Sequence, residues 1–380
     1  MQFLHISDTH LGKRIYNLDS REQDVYDAFS QLTDIIKREH VKVVVHTGDL
    51  FDVYKPSNKS IKFFIDRVKP LRDSGVAFLN IPGDHDTPKV REEIYTQRIL
   101  GESLGLIRLL MGDQDPRYYE HVEDNLKVRF YGVRHHSNVS RDSLVNLLNN
   151  LKPEGDRNVL MLHQGIKPLL PYDSSWELEI ESLPKGFQYY ASGHIHTRVL
   201  NRMPDGSIFG IAGSPEIMRN EEIEGWKKLG KGAYLVDLSK KEPSVQPINV
   251  EVRPQEIIHV DVSEIDKTIL DIKSRYVGLQ RKPILHIVLE GDSNKKSYAV
   301  KKLVELKDIA EHYRYDDRTV DPNMKTVRAE QTGTVSELIS GYLKQQGYTQ
   351  GEVDLILEII NKYDSDDADE LLRKFAEGQK

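Results

Sequence analysis

The 380-residue sequence contains no cysteine, and this absence excludes two ways of stabilising a fold or a metal site. Disulfide bonds cannot form, and no thiolate can serve as a metal ligand. Any bound cation must therefore be held by histidine nitrogens and carboxylate oxygens. The sequence offers these atoms on 14 histidines and on 60 aspartates and glutamates.

Long apolar segments are also absent. No segment approaches the roughly 18 consecutive apolar residues of a membrane-spanning helix. The first residues, MQFLHISDTH, have no basic segment ahead of an apolar one, as a secretory signal would have. Hydrophobic residues make up 38% of the chain and charged residues 30%, a balance typical of soluble globular proteins. We therefore expect a cytoplasmic protein with no membrane partner.

The sequence lacks an excess of positive charge, and its formal net charge is −7. This argues against a protein that coats nucleic acid through bulk electrostatics, but it permits local binding of phosphates. A few basic residues close to the candidate ligands could supply that local binding, although a solvated basic surface would explain each of them equally well. These residues are Lys13, Arg14, Arg91, Arg198 and Arg202.

Five short apolar segments, each with the composition of a buried strand, lead directly to aspartate or histidine. The clearest is VVVHTGDLFD at residues 43–52, where Gly48 frees the backbone and Asp49 follows. The other four segments lead to Asp8 and His10, to Asp84, His85 and Asp86, to His163, and to His194 and His196. One Gly-Asp pair after a strand is common in turns, but five such ends predict a shared ligand site.

Helical patterns separate the first strands. Residues 21–39 carry apolar side chains at helical spacing, a second helix is expected to open at Pro56 and Ser57, and a third is predicted from Arg91 to Leu104. Strands that alternate with helices are the mark of an α/β domain. Shorter strands from about residue 127, with a helix at 144–151 between them, predict a second sheet.

Composition changes divide the rest of the chain. Three prolines between Pro243 and Pro254 predict a domain boundary or an extended edge strand. We place the first domain at residues 1–250 and a small α/β domain at 257–325, which has no ligand cluster of its own.

The remaining segment, 334–380, is predicted to contain three amphipathic helices. Two capping boxes, Thr334 with Glu337 and Thr349 with Glu352, mark two helix starts. These helices are too short to form a large core, so we expect them to dock a partner; packing against their own protein is the alternative.

The candidate ligands occur in the order D-x-H at 8–10, GD at 48–49, GDHD at 83–86, H at 163 and GHIH at 193–196. This pattern resembles that of the calcineurin-like metallophosphoesterase superfamily, D-x-H, G-D, G-N-H-[DE], H and G-H-x-H, over roughly residues 1–240. The segments ISDTHLGKR, TGDLFD and YYASGHIH and the appended C-terminal parts are similar to DNA double-strand-break repair nucleases of the SbcD type.

The resemblance implies an α/β fold with two mixed sheets sandwiched between outer helices, a small α/β capping domain and a helical C-terminal tail. It implies a two-metal DNA nuclease, with double-strand exonuclease and single-strand endonuclease activity, that processes DNA ends and lies on the nucleoid when bound to DNA. It also implies a coiled-coil ABC-type ATPase of the SbcC type bound to the C-terminal helices. A homodimer through the helices near residues 57–71 and 91–104 is expected as well.

Residue by residue, the resemblance assigns one metal to Asp8, His10, Asp49 and His196. It assigns a second metal to Asp49, Asp84, His163 and His194, so that Asp49 bridges the two ions. Two cations about 3.5 to 4 Å apart can neutralise phosphate oxygens and align an in-line attack on phosphorus. Mixed imidazole and carboxylate ligation suits manganese or zinc, and manganese is the usual choice of the family.

The family position of His85 is catalytic, where an imidazolium donates a proton to the leaving oxygen. Asp86 is expected to orient this ring. One letter departs from the family pattern, because Asp84 stands where the family has asparagine. The added negative charge should weaken the second metal as a Lewis acid and favour the protonated form of His85.

Two other functions remain open at this point. The ligand set alone does not name the ester, so a phosphatase or a cyclic-nucleotide phosphodiesterase on the same fold is one alternative. The other is a scaffold, weakened in catalysis by Asp84, that bridges DNA to its partner. About 140 residues follow the region of resemblance, and this extension favours the nuclease.

Overall fold

The structure is a computed structural model, and it describes residues 1–88, 94–111, 118–137, 140–170, 175–322 and 335–361. The chain divides into two compact units, Met1–Thr319 and Val320–Lys380. The finer domain boundaries proposed from the sequence stay predictions. Among the described helices, none is long and apolar enough to cross a membrane.

The strands of the first unit form two large sheets and two small ones. In chain order they are β1 (Gln2–Ile6), β2 (Val43–His46), β3 (Ala77–Asn80), β4 (Arg108–Leu109), β5 (Tyr118–Glu123), β6 (Leu126–Gly132), β7 (Arg157–Leu162), β8 (Ile166–Lys167), β9 (Leu178–Glu179), β10 (Tyr189–Ser192), β11 (Val199–Arg202), β12 (Ile208–Ile211), β13 (Gly232–Asp237), β14 (Ser244–Asn249), β15 (Gln255–Asp261), β16 (Ile284–Glu290) and β17 (His312–Asp317).

Helices connect most of these strands. In the first unit they are α1 (Asp19–Arg38), α2 (Asn58–Asp73), α3 (Thr96–Arg98), α4 (Arg141–Asn149), α5 (Ile223–Leu229), α6 (Ile265–Tyr276) and α7 (Lys296–Leu303). In the second unit they are α8 (Val335–Gln345) and α9 (Gln350–Asn361). Ser57 caps α2 as expected, because its side chain accepts a hydrogen bond from the Ser60 N–H.

The helix predicted from Arg91 to Leu104 is confirmed only from Thr96 onward. Tyr95 is extended, so the helix begins after it, and α3 continues directly into a π-helical turn at Ile99–Ser103. Residues 89–93 lie outside the described residues.

Both large sheets are mixed, which confirms the expected fold class. The first has the order β14-β13-β1-β2-β3-β4, with β1 to β4 parallel and β13 and β14 antiparallel. The second has the order β11-β12-β10-β7-β6-β5, and its four central strands are parallel. The proline-rich segment after residue 243 forms β14, an edge strand, where the missing N–H of Pro247 is tolerated.

The two large sheets face each other across the main core. Side chains that alternate along the strands meet there, as Phe3 does with Phe130 at a ring-centroid distance of 5.3 Å. Burial of one such aromatic side chain contributes roughly 1.5 to 3 kcal/mol. Leu4 and its neighbours on the opposite face of the first sheet pack on α1 and α2, and α4 covers the second sheet in the same way. The layers are therefore helix, sheet, sheet, helix.

A three-stranded parallel sheet, β15-β16-β17, follows with α6 and α7 and has its own apolar core. A buried carboxylate joins it to the layers of the two large sheets, because Asp24 on α1 accepts hydrogen bonds from Arg21, Arg253 and Arg281. Burial alone would raise the pKa of Asp24, but the bonds from Arg253 and Arg281 outweigh it and lower that pKa. The carboxylate is thus held ionised between the two parts.

In the second unit, α8 and α9 contact each other. The predicted capping box at the start of α9 is confirmed, because the N–H of Thr349 donates to the Glu352 carboxylate at 2.7 Å and the N–H of Glu352 donates to the Thr349 hydroxyl at 3.4 Å. Thr334 and the third predicted helix lie outside the described residues.

Candidate metal centre

The candidate ligands follow the carboxyl ends of five parallel strands. β1, β2 and β3 are neighbours in the first sheet, and β7 and β10 are neighbours in the second. Neighbouring parallel strands end on the same side, which is where ligands gather in open α/β sheets. The residues that follow these five strands therefore meet where the ends of the two sheets face each other.

Four of these residues have left-handed backbone conformations that are uncommon outside glycine. The φ angles are 49° for Asp8, 42° for His10, 53° for Asp49 and 76° for His194. Aspartate and histidine tolerate this region better than most residues, but a cost of about 1 kcal/mol or more remains for each. Such backbone strain clusters at functional sites, where it turns side chains toward a common centre.

Glycines beside the ligands allow close approach of neighbouring segments. A Cβ atom on Gly48 would lie 2.2 Å from Nδ1 of His163, and one on Gly83 would lie 2.1 Å from Oδ1 of Asp49. Both contacts are far inside van der Waals distance. The glycines of the two GD motifs are therefore required by the packing of the site.

The first ligand group contains Asp8, His10 and His196, whose ligand atoms lie within 4.8 Å of one another. Nε2 of His10 is 3.2 Å from Nε2 of His196. The same His196 nitrogen is 4.0 Å from Oδ1 of Asp8. Two imidazole nitrogens and a carboxylate oxygen thus converge on one point.

The second group contains Asp84, His163 and His194. Oδ1 of Asp84 is 3.0 Å from Nε2 of His163 and 3.2 Å from Nδ1 of His194. Burial alone would raise the pKa of Asp84, but the hydrogen bonds from the two histidines lower it strongly. This position therefore carries an ionised carboxylate.

Asp49 lies between the two groups. Its Oδ2 atom is 3.5 Å from Nε2 of His10 and 3.5 Å from Nε2 of His163. The residue is buried, and although burial would raise its pKa, the neighbouring His163 and His10 lower it. One ionised carboxylate oxygen is thus equidistant from a member of each group.

These residues fit a pair of divalent cations. Asp8 and Asp49 are buried carboxylates, and within the described parts of the chain their ion pairs are with histidines alone, with no lysine or arginine nitrogen within 4 Å. A buried carboxylate without a compensating cation is costly. Imidazole and carboxylate donors suit first-row divalent cations. The donor set and its unbalanced charge therefore match the metals expected from the sequence.

His85 lies at the edge of this centre with 38% of its side chain exposed. Its Nδ1 is 2.8 Å from the main-chain oxygen of Asp52, and its Nε2 is 3.9 Å from Oδ2 of Asp84. Burial lowers the pKa of His85, but the charges of Asp49 and Asp84 and the bond to Asp52 outweigh it and raise that pKa above its ordinary value. The ring is thus held near the ligands with its protonated form favoured.

The expectation that Asp86 orients the ring of His85 is wrong. The carboxylate of Asp86 is fully buried and accepts three main-chain N–H bonds of 3.1 to 3.2 Å, from Leu50, Phe51 and Gly83. Burial and the negative charge of Asp49 raise the pKa of Asp86 to about 7. Asp86 joins the loops after β2 and β3, and the Asp52 carbonyl takes the orienting role instead.

The basic residues predicted to contact phosphate differ from one another in their surroundings. The prediction that Arg198 contacts DNA is wrong, because its guanidinium is buried. It donates to Asn249 and to the carbonyls of Leu229, Ala233 and Ile248. Its buried position lowers its pKa to about 10. This arginine holds β13, β14 and the end of α5 together.

The other basic residues are at the surface or only partly covered. Lys13 pairs with Asp52 at 2.7 Å next to the first ligand group, and Arg14 pairs with Asp19 at 2.7 Å while half exposed. Arg202 lies 3.6 Å from Glu242. Arg91 lies outside the described residues.

Three residues of the site carry no signal in the sequence pattern. The main-chain oxygen of Asp52 contacts the ring of His85, and Glu222 contacts the ring of His196 at 2.9 Å. Arg219 is exposed on the wall of a cleft beside the ligand groups. The cleft has a volume of about 580 Å³, and its lining includes Asp49, Asp84 and His85. Only the folded loop after β12 brings residues 219 and 222 to this place.

The chain is similar to several known proteins. Residues 1–198 match the family model described as calcineurin-like phosphoesterase. The chain is 46% identical to the DNA double-strand break repair protein Mre11 of Sulfolobus acidocaldarius, over 99% of each chain. It is 45% identical to the protein of the same name from Saccharolobus solfataricus, over 98% of each. A solved dimetal phosphatase from Danio rerio is 13% identical, with a TM-score of 0.43, over 64% of this chain and 98% of that one.

Proposed function

Because the chain belongs to the calcineurin-like phosphoesterase family, and within it to the DNA double-strand-break repair nucleases, we propose that it hydrolyses phosphodiester bonds at DNA ends with two divalent cations. The observation that carries this proposal is the position of Asp49 Oδ2, 3.5 Å from a histidine of each ligand group. A carboxylate oxygen in this position is within reach of both ligand groups and can bridge two adjacent cations.

Two ligand sets are proposed. Asp8, His10, Asp49 and His196 would hold one ion, and Asp49, Asp84, His163 and His194 would hold the other. When bound, the ions neutralise the charge on the phosphate and lower the pKa of the attacking water. Nitrogen and oxygen donors suit manganese or zinc, and manganese is the proposed metal because it is the usual choice of the family.

His85 is the proposed proton donor to the leaving oxygen. Its Nδ1–H donates to the Asp52 carbonyl, so the imidazolium keeps a second proton on Nε2. That atom is near Asp84, and the side chain lines the cleft. Proton donation by such a group contributes roughly 10²- to 10⁴-fold to the rate.

Binding of DNA rather than a small ester is supported by the relatives, which are named as DNA double-strand break repair proteins. Arg219 on the cleft wall offers an exposed guanidinium close to the proposed metal ligands. A guanidinium there can pair with a backbone phosphate on either side of the cleaved bond. With a net charge of −7, such local contacts must supply the attraction.

A coiled-coil ABC-type ATPase is the proposed partner of the C-terminal helices. Support comes from the amphipathic pattern of α8 and α9 and from the resemblance to nucleases that pair with such an ATPase. Removal of residues 334–380 should abolish capture of the ATPase and spare manganese-dependent cleavage. Loss of both capture and cleavage would instead indicate that the first unit needs these helices for its own activity.

A homodimer through the helices of the nuclease domain is also proposed. A purely monomeric species in sedimentation at micromolar concentration would contradict it.

One assay tests the proposed activity against its alternatives. End-labelled double-stranded and single-stranded DNA are incubated with manganese, beside p-nitrophenyl phosphate and a cyclic nucleotide. We expect cleavage of both DNA substrates, by exonuclease and endonuclease activity respectively. Cleavage of the monoester or the cyclic nucleotide without DNA cleavage would overturn the proposal, and binding of metal with no cleavage at all would favour a scaffold.

A further inference from the structure

Glu222 and Lys231 form a buried ion pair directly behind the ring of His196. Their side chains are only 6% and 2% exposed, respectively, and the ammonium group of Lys231 donates to Oε2 of Glu222. Oε1 of Glu222 is 2.9 Å from Nδ1 of His196. The pair lies outside the seven proposed metal ligands and 26 or more positions from His196 in the sequence.

The contact determines which nitrogen of His196 carries a proton. An ionised carboxylate can only accept hydrogen bonds, so Nδ1 must be the donor. A neutral ring then has its lone pair on Nε2. That nitrogen is the one that lies 3.2 Å from Nε2 of His10 and 4.0 Å from Oδ1 of Asp8.

Lys231 fixes the backbone of the same residue. Its ammonium group donates to the main-chain oxygen of His196 at 2.9 Å and to the hydroxyl of Ser214 at 2.8 Å. The N–H of Ser214 donates to the same His196 oxygen at 3.0 Å. Both the ring and the carbonyl of His196 are therefore held by the ion pair and its neighbours.

Main-chain donors fix the carboxylate in turn. Oε1 of Glu222 accepts from the N–H of Arg219 at 3.1 Å, and Oε2 accepts from the N–H of Met218 at 3.2 Å. Both donors belong to the loop after β12, which leads into the turn at Asn220–Glu222. The carboxylate cannot rotate away from His196 without loss of several hydrogen bonds.

Two other proposed ligands have a partner at the same ring atom. Nδ1 of His163 is 2.7 Å from the carbonyl of Thr47, and Nδ1 of His10 is 3.4 Å from a carboxylate oxygen of Asp52. Outer partners of this kind orient ligand rings and raise their basicity, and their loss lowers metal affinity by roughly 10- to 100-fold. The carboxylate beside His10 pairs with Lys13 in a partly exposed position, whereas the carboxylate beside His196 belongs to a buried ion pair.

We infer that Glu222, neutralised by Lys231, is a positioning residue that presents Nε2 of His196 to one cation of the proposed metal centre. The inference rests on the proposed function for the existence of that cation. It concerns Glu222 and Lys231, which are not among the proposed metal ligands, and its first test uses the metal-free protein.

The first test is the tautomer of His196 in the metal-free wild-type protein at pH 8. Nitrogen-15 spectra of histidine-labelled protein report which ring nitrogen carries the proton, and an His196→Gln sample identifies the signal. We expect the proton on Nδ1. A proton on Nε2 would overturn the inference without any variant at Glu222.

The second test compares two double variants in full-length protein. Glu222→Gln with Lys231→Met removes both charges and keeps an acceptor for Nδ1, whereas Glu222→Leu with Lys231→Met removes the charges and the acceptor. Neither leaves a buried unpaired charge, so differences between them report the ring contact. Calorimetric titration with Mn²⁺ should show a roughly 10- to 100-fold weaker site in the leucine variant alone.

The control is Glu290→Leu, which removes the carboxylate 2.8 Å from Nδ1 of the exposed His259 and should leave Mn²⁺ binding unchanged. Equal affinity in the two double variants, whether both are weakened or both are intact, would overturn the inference. Failure of the wild-type protein to bind Mn²⁺ would instead refute the proposed metal centre itself, whatever the tautomer of His196.

Discussion

The main-chain oxygen of Asp52 lies 2.8 Å from Nδ1 of His85, and this contact fixes the ring of the proposed proton donor. The anchor is part of the backbone, so no side-chain substitution removes it directly. His85 itself can be replaced. Its replacement is therefore the direct way to separate proton donation from metal binding.

His85→Ala should retain both metal ions and lose most phosphodiester cleavage, by roughly 10²- to 10⁴-fold in kcat. The loss follows because the leaving oxygen would depart without a proton donor. Manganese stoichiometry and DNA cleavage are measured on the same preparation. His259→Ala, at a histidine whose side chain is 56% exposed, is the control and should cleave normally. Cleavage at the wild-type rate with full metal occupancy would refute the assigned role.

Asp84→Asn should shift the pH profile of cleavage. The charge of Asp84 is one of the influences that raise the pKa of His85, so its removal lowers that pKa. A proton donor is active below its pKa, and activity is lost as the pH rises through it. The alkaline limb of the profile should therefore move to lower pH in Asp84→Asn, with weaker manganese binding. Asp66→Asn, at an exposed carboxylate on α2, should leave both unchanged. An unmoved alkaline limb in Asp84→Asn would contradict the coupling.

Asp86→Asn should lower the free energy of unfolding, and it should affect proton donation by His85 less. The amide can accept through one oxygen only, so at least one of the three buried N–H groups loses its partner. Each buried donor left unsatisfied costs about 1 to 3 kcal/mol in the free energy of unfolding. Denaturant titration measures this loss. Unchanged stability with a fall in kcat like that of His85→Ala would restore the ring-orienting role expected from the sequence.

Two arginines should respond oppositely to replacement by alanine. Arg198→Ala removes a buried guanidinium and its hydrogen bonds to three carbonyls, and it should cost about 3 kcal/mol or more in unfolding free energy, with no change in the salt dependence of DNA binding. Arg219→Ala, at an exposed position on the cleft wall, should keep its stability and reduce the slope of log K against log salt by about 1. The reverse pattern would contradict the assignment of both residues.

The sequence predicts those parts of the fold and site that depend on local pattern. Strand ends such as those before Asp49 and His163 are recognisable because a buried apolar segment stops at a ligand residue. Parallel pairing brings the carboxyl ends within each sheet to one edge, and the packing of the two sheets brings the two edges together. The Thr349 capping box is similarly local and is confirmed.

Roles that depend on tertiary orientation could not be predicted. Asp86 follows His85 in sequence, yet its carboxylate turns to the main chain of the loop after β2. Arg198 is close to the GHIH motif but points into β13 and β14. Glu222 is one of several glutamates in a polar segment, and nothing in the spacing separates it from its neighbours. Only packing determines which of these groups faces the site.

The central claim is that Asp49 is shared by two cations, and anomalous diffraction at the manganese edge from crystals grown with Mn²⁺ tests it most directly. The account predicts two anomalous peaks about 3.5 to 4 Å apart, with the Asp49 carboxylate bound to both. Of the remaining ligands, His10 and His196 should bind one ion, and His163 and His194 the other. A single peak, or two peaks with Asp49 bound to only one of them, would contradict it.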